Sequence, residues 1–294
     1  MFHSDEEMSF EQHFKFYESW IKGLNVENDN YFTRQAENAH ALAVWGGSQD
    51  LISETLNLAG ATKNENARYY LQFGLGRRSM AIWTAFRGVY QLIPPDRDVP
   101  LTMDQVGLAS NDLNAIYINI RGAMDNFAWC LQHLLVNEPI FKLKESQIGL
   151  FHPTFLKQSG MEKIKPLLEP FEQWSKDFKG RRDPAAHRVP LSIIPAIHDS
   201  TTLAQFQDIE QEISGLTNSA HQWIKKKDFQ HSQLIFGEIE ALRVKQQSLG
   251  KFFPFFEFDP TKSPATLYPT LPTDVGKYVL IARTLTKFLN GYHS

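Results

Sequence analysis

The sequence is poor in the features that mark the commonest kinds of functional site. Its 294 residues include one cysteine, Cys130, which excludes an internal disulfide and a cysteine-rich metal centre. Its 30 lysines and arginines are outnumbered by 33 aspartates and glutamates, so no overall positive field indicates a DNA-binding protein. No apolar run approaches the roughly 18 residues of a membrane span, and the N-terminus is acidic where a secretory signal needs positive charge. We expect a mature, soluble, cytoplasmic protein that does not enter a membrane.

The usual catalytic and cofactor motifs are also missing. There is no phosphate-binding P-loop, no GxSxG nucleophile turn, no HExxH zinc helix and no EF-hand loop. Gly74-Leu75-Gly76 is only a fragment of a dinucleotide fingerprint and lies within a helical pattern, so we interpret it as helix packing or a kink. None of the ten histidines is paired at the i,i+3 or i,i+4 spacing of a helical metal site. The sequence predicts no cofactor and no metal.

What the chain does have is apolar periodicity with a helical repeat. Its 22 Phe, 9 Tyr and 6 Trp are far too many for a disordered chain. The clearest stripe runs from about Asp104 to Val136, with apolar residues at spacings of three or four. Further helical patterns cover residues 9–24, 30–58, 64–93 and 161–178. The second is expected to be interrupted at Gly46-Gly47, and the fourth to be broken or kinked at Pro166 and Pro170. Another helix follows Ser200, and the last runs from an N-cap at Thr273 to Gly291.

Two proline-containing stretches do not fit a helix. Residues 189–197 and 252–268 are predicted to be extended and to lie across the bundle, and the aromatic run within the second is expected to close the core, with partner docking as the alternative. The predicted fold is all-α, an antiparallel helical bundle with N-terminal helical additions and a C-terminal extended strap plus helix. Pro94-Pro95 divides it into residues 1–95 and residues 96–294, unless both form one continuous domain.

One short segment carries a chemical signal. Arg181, Arg182, Arg188 and His187 fall within eight residues, directly after the predicted broken helix. Asp183-Pro184 is typical of an N-cap followed by proline at the first helical position. A single tight turn from that point would bring His187 and Arg182 together.

The segment from Arg182 to His187 resembles the Arg-polar-x(3–5)-His signature of the HEPN superfamily, helical-bundle proteins that include RNA-cleaving toxins and phage-defence nucleases. The helix before it strengthens the likeness, because residues 119–129 (NIRGAMDNFAW) are similar to the R-x-A-L-D-x-L-A-W helix that accompanies such a segment in bacterial proteins of this kind. The resemblance covers about residues 104–223.

The resemblance implies a metal-independent endoribonuclease or an RNA-binding protein. His187 would be the general base for a ribose 2′-hydroxyl, Arg182 would stabilise the charge on the attacked phosphate, and Asp183 would orient either partner. Arg181 and Arg188 would hold neighbouring phosphates, and Asn126 is grouped with them as an RNA contact. A homodimer with the motif at its interface is implied as well.

A second interpretation assigns the same residues a structural role. Arg182 would pair with a carboxylate of the bundle and His187 with a backbone carbonyl, clamping residues 189–197. The protein would then be a non-catalytic dimeric helical protein that works through a protein partner. A small-molecule binder is a third class, for which aromatic richness is the one positive feature.

Two further sets of polar residues have two interpretations each. Asn119, Asn126 and His133 are spaced by seven along the predicted central helix, and form either an internal hydrogen-bond network or part of a site. Four arginines of the pattern over residues 64–93 form either a solvated or partner-facing surface or an RNA track, and these are Arg68, Arg77, Arg78 and Arg87.

Overall fold

A computed structural model describes residues 9–24, 30–136, 142–187 and 189–293, without the side chains of residues 30, 185–187, 292 and 293. The chain is predominantly helical, which confirms the predicted fold class. No helix within these ranges is long and apolar enough to cross a membrane. The helices are α1 Phe10–Gly23, α2 Asn30–Ala61, α3 Glu65–Tyr69, α4 Arg77–Leu92, α5 Met103–Leu135, α6 Lys165–Leu168, α7 Glu172–His187, α8 Ser200–Lys225, α9 Phe229–Gln247 and α10 Thr270–His293.

Helix α5 is the centre of the bundle. It begins with a reciprocal capping box, in which the side chains of Thr102 and Gln105 each accept a hydrogen bond from the other residue's backbone N–H. Its apolar stripe is fully buried from Leu113 to Leu131, as the spacing predicts. Helix α4 packs along it, and α2 packs against α1, α4 and α10. One buried cluster runs from Phe14 to Leu289, so core residues lie on both sides of Pro94-Pro95, where α4 ends as predicted.

A π-helical segment, Tyr70–Gly76, joins α3 to α4 and packs against α5. Gly74 meets the side chain of Asn126 here, where an added Cβ would lie 2.6 Å from the Asn126 Cγ. The glycine pair therefore serves helix packing, as the sequence predicts. A π-helical turn widens the helix locally and is frequent at functional sites.

The predictions for two helices are wrong in part. Helix α2 runs through Gly46-Gly47 without a break. Gly47 lies against the ring of Phe10, and its missing side chain allows α1 to pack closely. Helix α10 begins at Thr270 rather than after Thr273, and continues beyond Gly291. Pro272 fits into its first turn, where backbone amides have no helical partner in any case.

The two extended stretches pair with each other. Strands β1 Ser192–Ile193, β2 Phe255–Glu257 and β3 Ala265–Thr266 form an antiparallel sheet in the order β1-β2-β3, with Ile193 opposite Phe256. Phe256 is fully buried and its ring lies 6.3 Å from that of Tyr117. The predicted core closure by the aromatic run is confirmed at Phe252 and Phe256, while Phe253 is exposed.

Helices α8 and α9 form a hairpin with a small apolar core of its own, built on Ile209, Ile213 and Ile239. Helix α8 follows an Asp199 N-cap, close to the predicted start. The sequence patterns above do not predict α9, because its apolar residues are spread around the helix rather than along one face.

Candidate functional site

The motif lies in the last turn of α7. The helix continues through Pro184 to His187, so the prediction that Asp183-Pro184 begins a new turn is wrong. The preceding helix break is confirmed, since α6 ends at Leu168 and a single 3₁₀ turn over residues 169–171 leads into α7. Pro184 is itself buried, and packing at this position offsets the one hydrogen bond that a proline removes from a helix.

Arg181 points into the core. Its Nε and Nη2 donate to the two carboxylate oxygens of Asp274 at 3.0 and 2.7 Å. The same carboxylate accepts from the Tyr117 hydroxyl at 2.7 Å and from the Trp174 indole N–H at 2.9 Å. Burial, followed by the charge of Asp274, raises the pKa of Tyr117. Arg181 thus joins α7 to α10. The structural interpretation expects a bundle carboxylate as the partner of Arg182, and the structure gives one to Arg181 instead.

Arg182 points the other way, into a cavity of about 730 Å³ between α5, α7 and residues 146–165. We call it the cationic cavity. The Arg182 Nη2 lies 3.2 Å from Asp183 Oδ1. The Arg182 Nε is buried without a hydrogen-bond acceptor among the described residues. Burial lowers the pKa of Arg182, Asp183 opposes the shift and Arg121 adds to it. The guanidinium is therefore only partly compensated.

Positive side chains dominate the wall of this cavity. Among the residues that the structure describes, two carboxylates line it, Glu172 and Asp183, together with the imidazole of His152. Six cations face them, and these are Arg121, Lys157, Lys165, Lys176, Lys179 and Arg182. The arrangement supplies the local basic patch that the net charge of −3 does not supply over the whole chain.

Asp125 connects the cationic cavity to the neighbouring face of α5. One of its carboxylate oxygens lies 3.1 Å from Arg121 Nη2, one helical turn earlier. Burial raises the pKa of Asp125, and the charges of Arg121, Arg182 and Arg78 oppose that rise in decreasing order. Asp125 thus lies among three arginines and can neutralise only one of them.

Asn126 does not lie in the cationic cavity, because the next position along an α-helix is turned by about 100°. It lines a second concave surface of about 460 Å³ between α5 and the π-helical segment. We call this surface the aromatic groove, and its lining is Tyr69, Tyr70, Phe73, Gly74, Arg77, Arg78, Asn119 and Asn126. Asn119 accepts from Arg78 Nη1 at 3.1 Å, which gives the predicted polar stripe one internal hydrogen bond.

The remaining motif residues are placed in part. Arg188 and the side chain of His187 lie outside the described residues. The backbone of His187 ends α7. Five residues of α-helix turn the chain by about 140° net and advance it by about 7.5 Å. The expectation that residues 182–187 form a single tight turn is therefore wrong, because this segment is helical.

Sequence reasoning missed the lysines of the cationic cavity. Glu172, Lys176, Lys179 and Arg182 follow one another at spacings of four, three and three, which places them on one face of α7. That spacing is the signal that could have revealed the basic face. Arg121 and Asp125 show the i,i+4 spacing of a helical ion pair, but their nearness to Arg182 depends on tertiary packing.

Within the described ranges, no group of three or more His, Cys, Asp or Glu side chains is placed to hold a metal ion. Comparisons with protein-family models, with curated proteins and with solved structures find no match for this chain.

Proposed function

We propose that the protein binds RNA and holds a backbone phosphate in the cationic cavity. One observation carries this proposal: Arg182 and Arg121 share a half-open cavity that, among the described residues, is lined by six cations and two carboxylates. Arginine donates paired hydrogen bonds in a planar fork that matches the oxygens of a phosphate. Arg182 pairs with Asp183 through Nη2, and its guanidinium forms no other hydrogen bond to a described residue.

The cations of the cavity differ in how deeply they are buried, and we assign their roles accordingly. Arg182, with 14% of its side chain exposed, and Arg121, with 35%, would bind the phosphate that enters the cavity. Lys157, Lys176 and Lys179 are exposed, and would attract the flanking phosphates along the rim. Arg181 has no place in this scheme, because Asp274 occupies its guanidinium.

Metal-independent cleavage in the same place is the second candidate function, and the position of Arg182 in the cavity favours it. In this proposal His187 takes the proton of a ribose 2′-hydroxyl, the 2′ oxygen attacks the phosphorus, and the bond to the 5′ oxygen breaks. The leaving oxygen takes a proton from solvent, which gives a 2′,3′-cyclic phosphate and a 5′-hydroxyl. Arg182 stabilises the added negative charge on the phosphate. Asp183, 3.2 Å from it, orients the guanidinium.

The proposal includes a cytoplasmic homodimer. The resemblance that motivates RNA binding also implies that the motif lies between two subunits, and Cys130, buried and without a disulfide, suits a reducing compartment. Sedimentation at micromolar concentration measures the dimer directly.

The competing proposal, a protein-binding protein with a structural motif, is favoured by one contact, the Arg181–Asp274 pair.

RNA binding is tested by fluorescence anisotropy of a labelled twelve-residue oligouridine. Arg182→Gln and Arg121→Gln should each weaken binding by about 10- to 150-fold, the loss expected for a charged hydrogen bond. Lys176→Gln, an exposed change that spares the fold, should weaken it less. Arg243→Gln, on the exposed face of α9, is the matched control and should leave the affinity unchanged. Equal affinity for all four variants would refute the phosphate site.

Cleavage is tested on a mixed RNA pool with EDTA present. Wild type should release fragments with 2′,3′-cyclic ends, and His187→Ala should not, while circular dichroism shows that both are folded. Fragments released equally by both proteins would remove His187 from the chemistry. Binding without any cleavage by wild type would leave the phosphate site standing and refute the enzyme.

A further inference from the structure

We propose that the aromatic groove is a base-stacking site for single-stranded RNA, next to the phosphate site of the cationic cavity. This inference rests on the proposed function, in which the cationic cavity binds the phosphate, and it adds a site for the base.

The groove exposes aromatic rings that the fold does not need. Tyr69 is 58% exposed and Phe73 is 43% exposed, and their ring centroids lie 5.6 Å apart. The guanidinium of Arg77 lies 4.9 Å from the centre of the Phe73 ring and forms no ion pair with a described residue. The three side chains follow at intervals of four residues along α3, the π-helical segment and α4, and so form one ridge. Exposed rings interleaved with arginine are the usual platform for single-stranded nucleic acid.

The Tyr70 ring in the far wall of the groove is held in a stack of rings. The ring of Tyr70 stacks on Trp129 at 5.6 Å and on His133 at 5.7 Å, with interplanar angles of 9° and 18°. A wall fixed in this way loses little freedom when a ligand binds.

A free amide lies at the base of the groove. The side chain of Asn126 makes no hydrogen bond to another described residue, and it packs against Gly74, whose missing Cβ makes room for it. A carboxamide offers one acceptor and two donors, which match the edge of a nucleobase. Asn119 is less available, because it accepts from Arg78 and donates to the Ala115 carbonyl at 2.8 Å.

The charge of the groove decides which aromatic ligand it fits. Aromatic rings alone would also suit a quaternary ammonium group. Arg77 and Arg78 line this groove, however, and no carboxylate of the described residues does. Two arginines repel a cation and attract a ligand that joins a flat ring to a phosphate. A nucleotide is such a ligand.

The groove and the cavity are next to each other on α5. Arg78 lies across Gly122, where a side chain would collide with its guanidinium, and donates to Asn119 in the groove. Its charge also reaches Asp125, which pairs with Arg121 of the cationic cavity. One strand that crosses α5 at this point would therefore contact both surfaces, with a base on Tyr69 and Phe73 and a phosphate elsewhere on the same strand at Arg121 and Arg182.

The test combines anisotropy with a base-specific probe. A twelve-residue oligouridine with one central 2-aminopurine should change in fluorescence as that base stacks on protein rings. Phe73→Ala and Tyr69→Ala should each weaken binding by roughly 5- to 100-fold, the usual effect of removing a stacking ring. Phe236→Ala removes a ring of nearly equal exposure, 44%, from α9 and should change nothing. Both groove rings are exposed, so the variants should fold, which circular dichroism checks.

Three further arms separate the outcomes. An oligomer of the same length with abasic residues should bind wild type more weakly than oligouridine, and Phe73→Ala should remove that difference. If wild type binds the abasic oligomer as tightly as oligouridine, the stacking site is refuted. It is also refuted if Phe73→Ala has the same affinity as Phe236→Ala. In either case a loss of affinity in Arg182→Gln means that the phosphate site stands. Uridine monophosphate at millimolar concentration should not displace the oligomer, and displacement would mean a site for free nucleotides. Failure of wild type to bind any oligomer would refute both proposals.

Discussion

Replacing Arg181 should cost several kcal/mol of folding free energy. The Asp274 carboxylate is 1% exposed and accepts four hydrogen bonds, two of them from Arg181. In Arg181→Met the carboxylate keeps the two neutral donors, Tyr117 and Trp174, and loses its only charged partner among the described residues. Removing one member of a buried ion pair typically costs about 3–5 kcal/mol. That loss is a large part of the roughly 5–15 kcal/mol by which proteins of this kind are stable.

Urea unfolding measures the effect. Circular dichroism and tryptophan fluorescence should give coincident transitions, and the free energy of unfolding should fall by about 3–5 kcal/mol with an unchanged m-value. Arg243→Met, an exposed change on α9, should stay within about 0.5 kcal/mol of wild type. The double variant Arg181→Met with Asp274→Asn should be less destabilised than the sum of the single variants, because no uncompensated charge is left buried. A loss under about 1 kcal/mol for Arg181→Met, or strict additivity, would refute the structural role of Arg181.

Three other predictions follow from buried or satellite parts of the fold. His40 is fully buried against Phe14, and burial, assisted by the charge of Lys277, lowers its pKa to about 4. The unfolded chain then binds a proton that the native state does not bind between about pH 6.5 and pH 4, so stability falls as the pH falls through that window. His40→Gln should remove up to about 3 kcal/mol of that acid loss in urea titrations at several pH values, and an unchanged pH profile would contradict this. Gly160 has a φ of 91° and faces the Leu135 carbonyl, so Gly160→Ala should destabilise the protein by about 1–3 kcal/mol, while Gly180→Ala, with open space at its Cβ, should not destabilise it. The hairpin of α8 and α9 has only a small core of its own, so its amides should exchange hydrogen faster than those of α5, and equal protection of the two would be inconsistent with a satellite unit.

The fold was predictable where apolar spacing alone decides the structure. The buried stripe of α5, the end of α4 before Pro94, and the break before α7 all follow from local rules about periodicity and proline. The boundaries that failed depend on tertiary contacts. Gly47 is a packing contact with Phe10 rather than a helix break, and Pro184 continues α7 because its surroundings bury it.

The candidate site was predictable as a segment but not as an arrangement. The cluster of arginines around Arg182 was visible in the sequence, but which arginine faces the core depends on Asp274, which lies 93 residues from Arg181 along the chain. The lysines of the cationic cavity follow a helical spacing on α7, but Arg121 joins them only when α5 and α7 pack together. Local rules identify candidate residues, and packing decides which of them share a site.

The most direct test of the central claim is the salt dependence of oligouridine binding. Each phosphate contact on single-stranded RNA contributes about −0.7 to the slope of log K against log salt concentration. If Arg182 holds a phosphate, Arg182→Gln should make this slope shallower by about 0.7 relative to wild type, and Arg243→Gln should leave it unchanged. An unchanged slope for folded Arg182→Gln would contradict the account, because it would mean that Arg182 holds no phosphate.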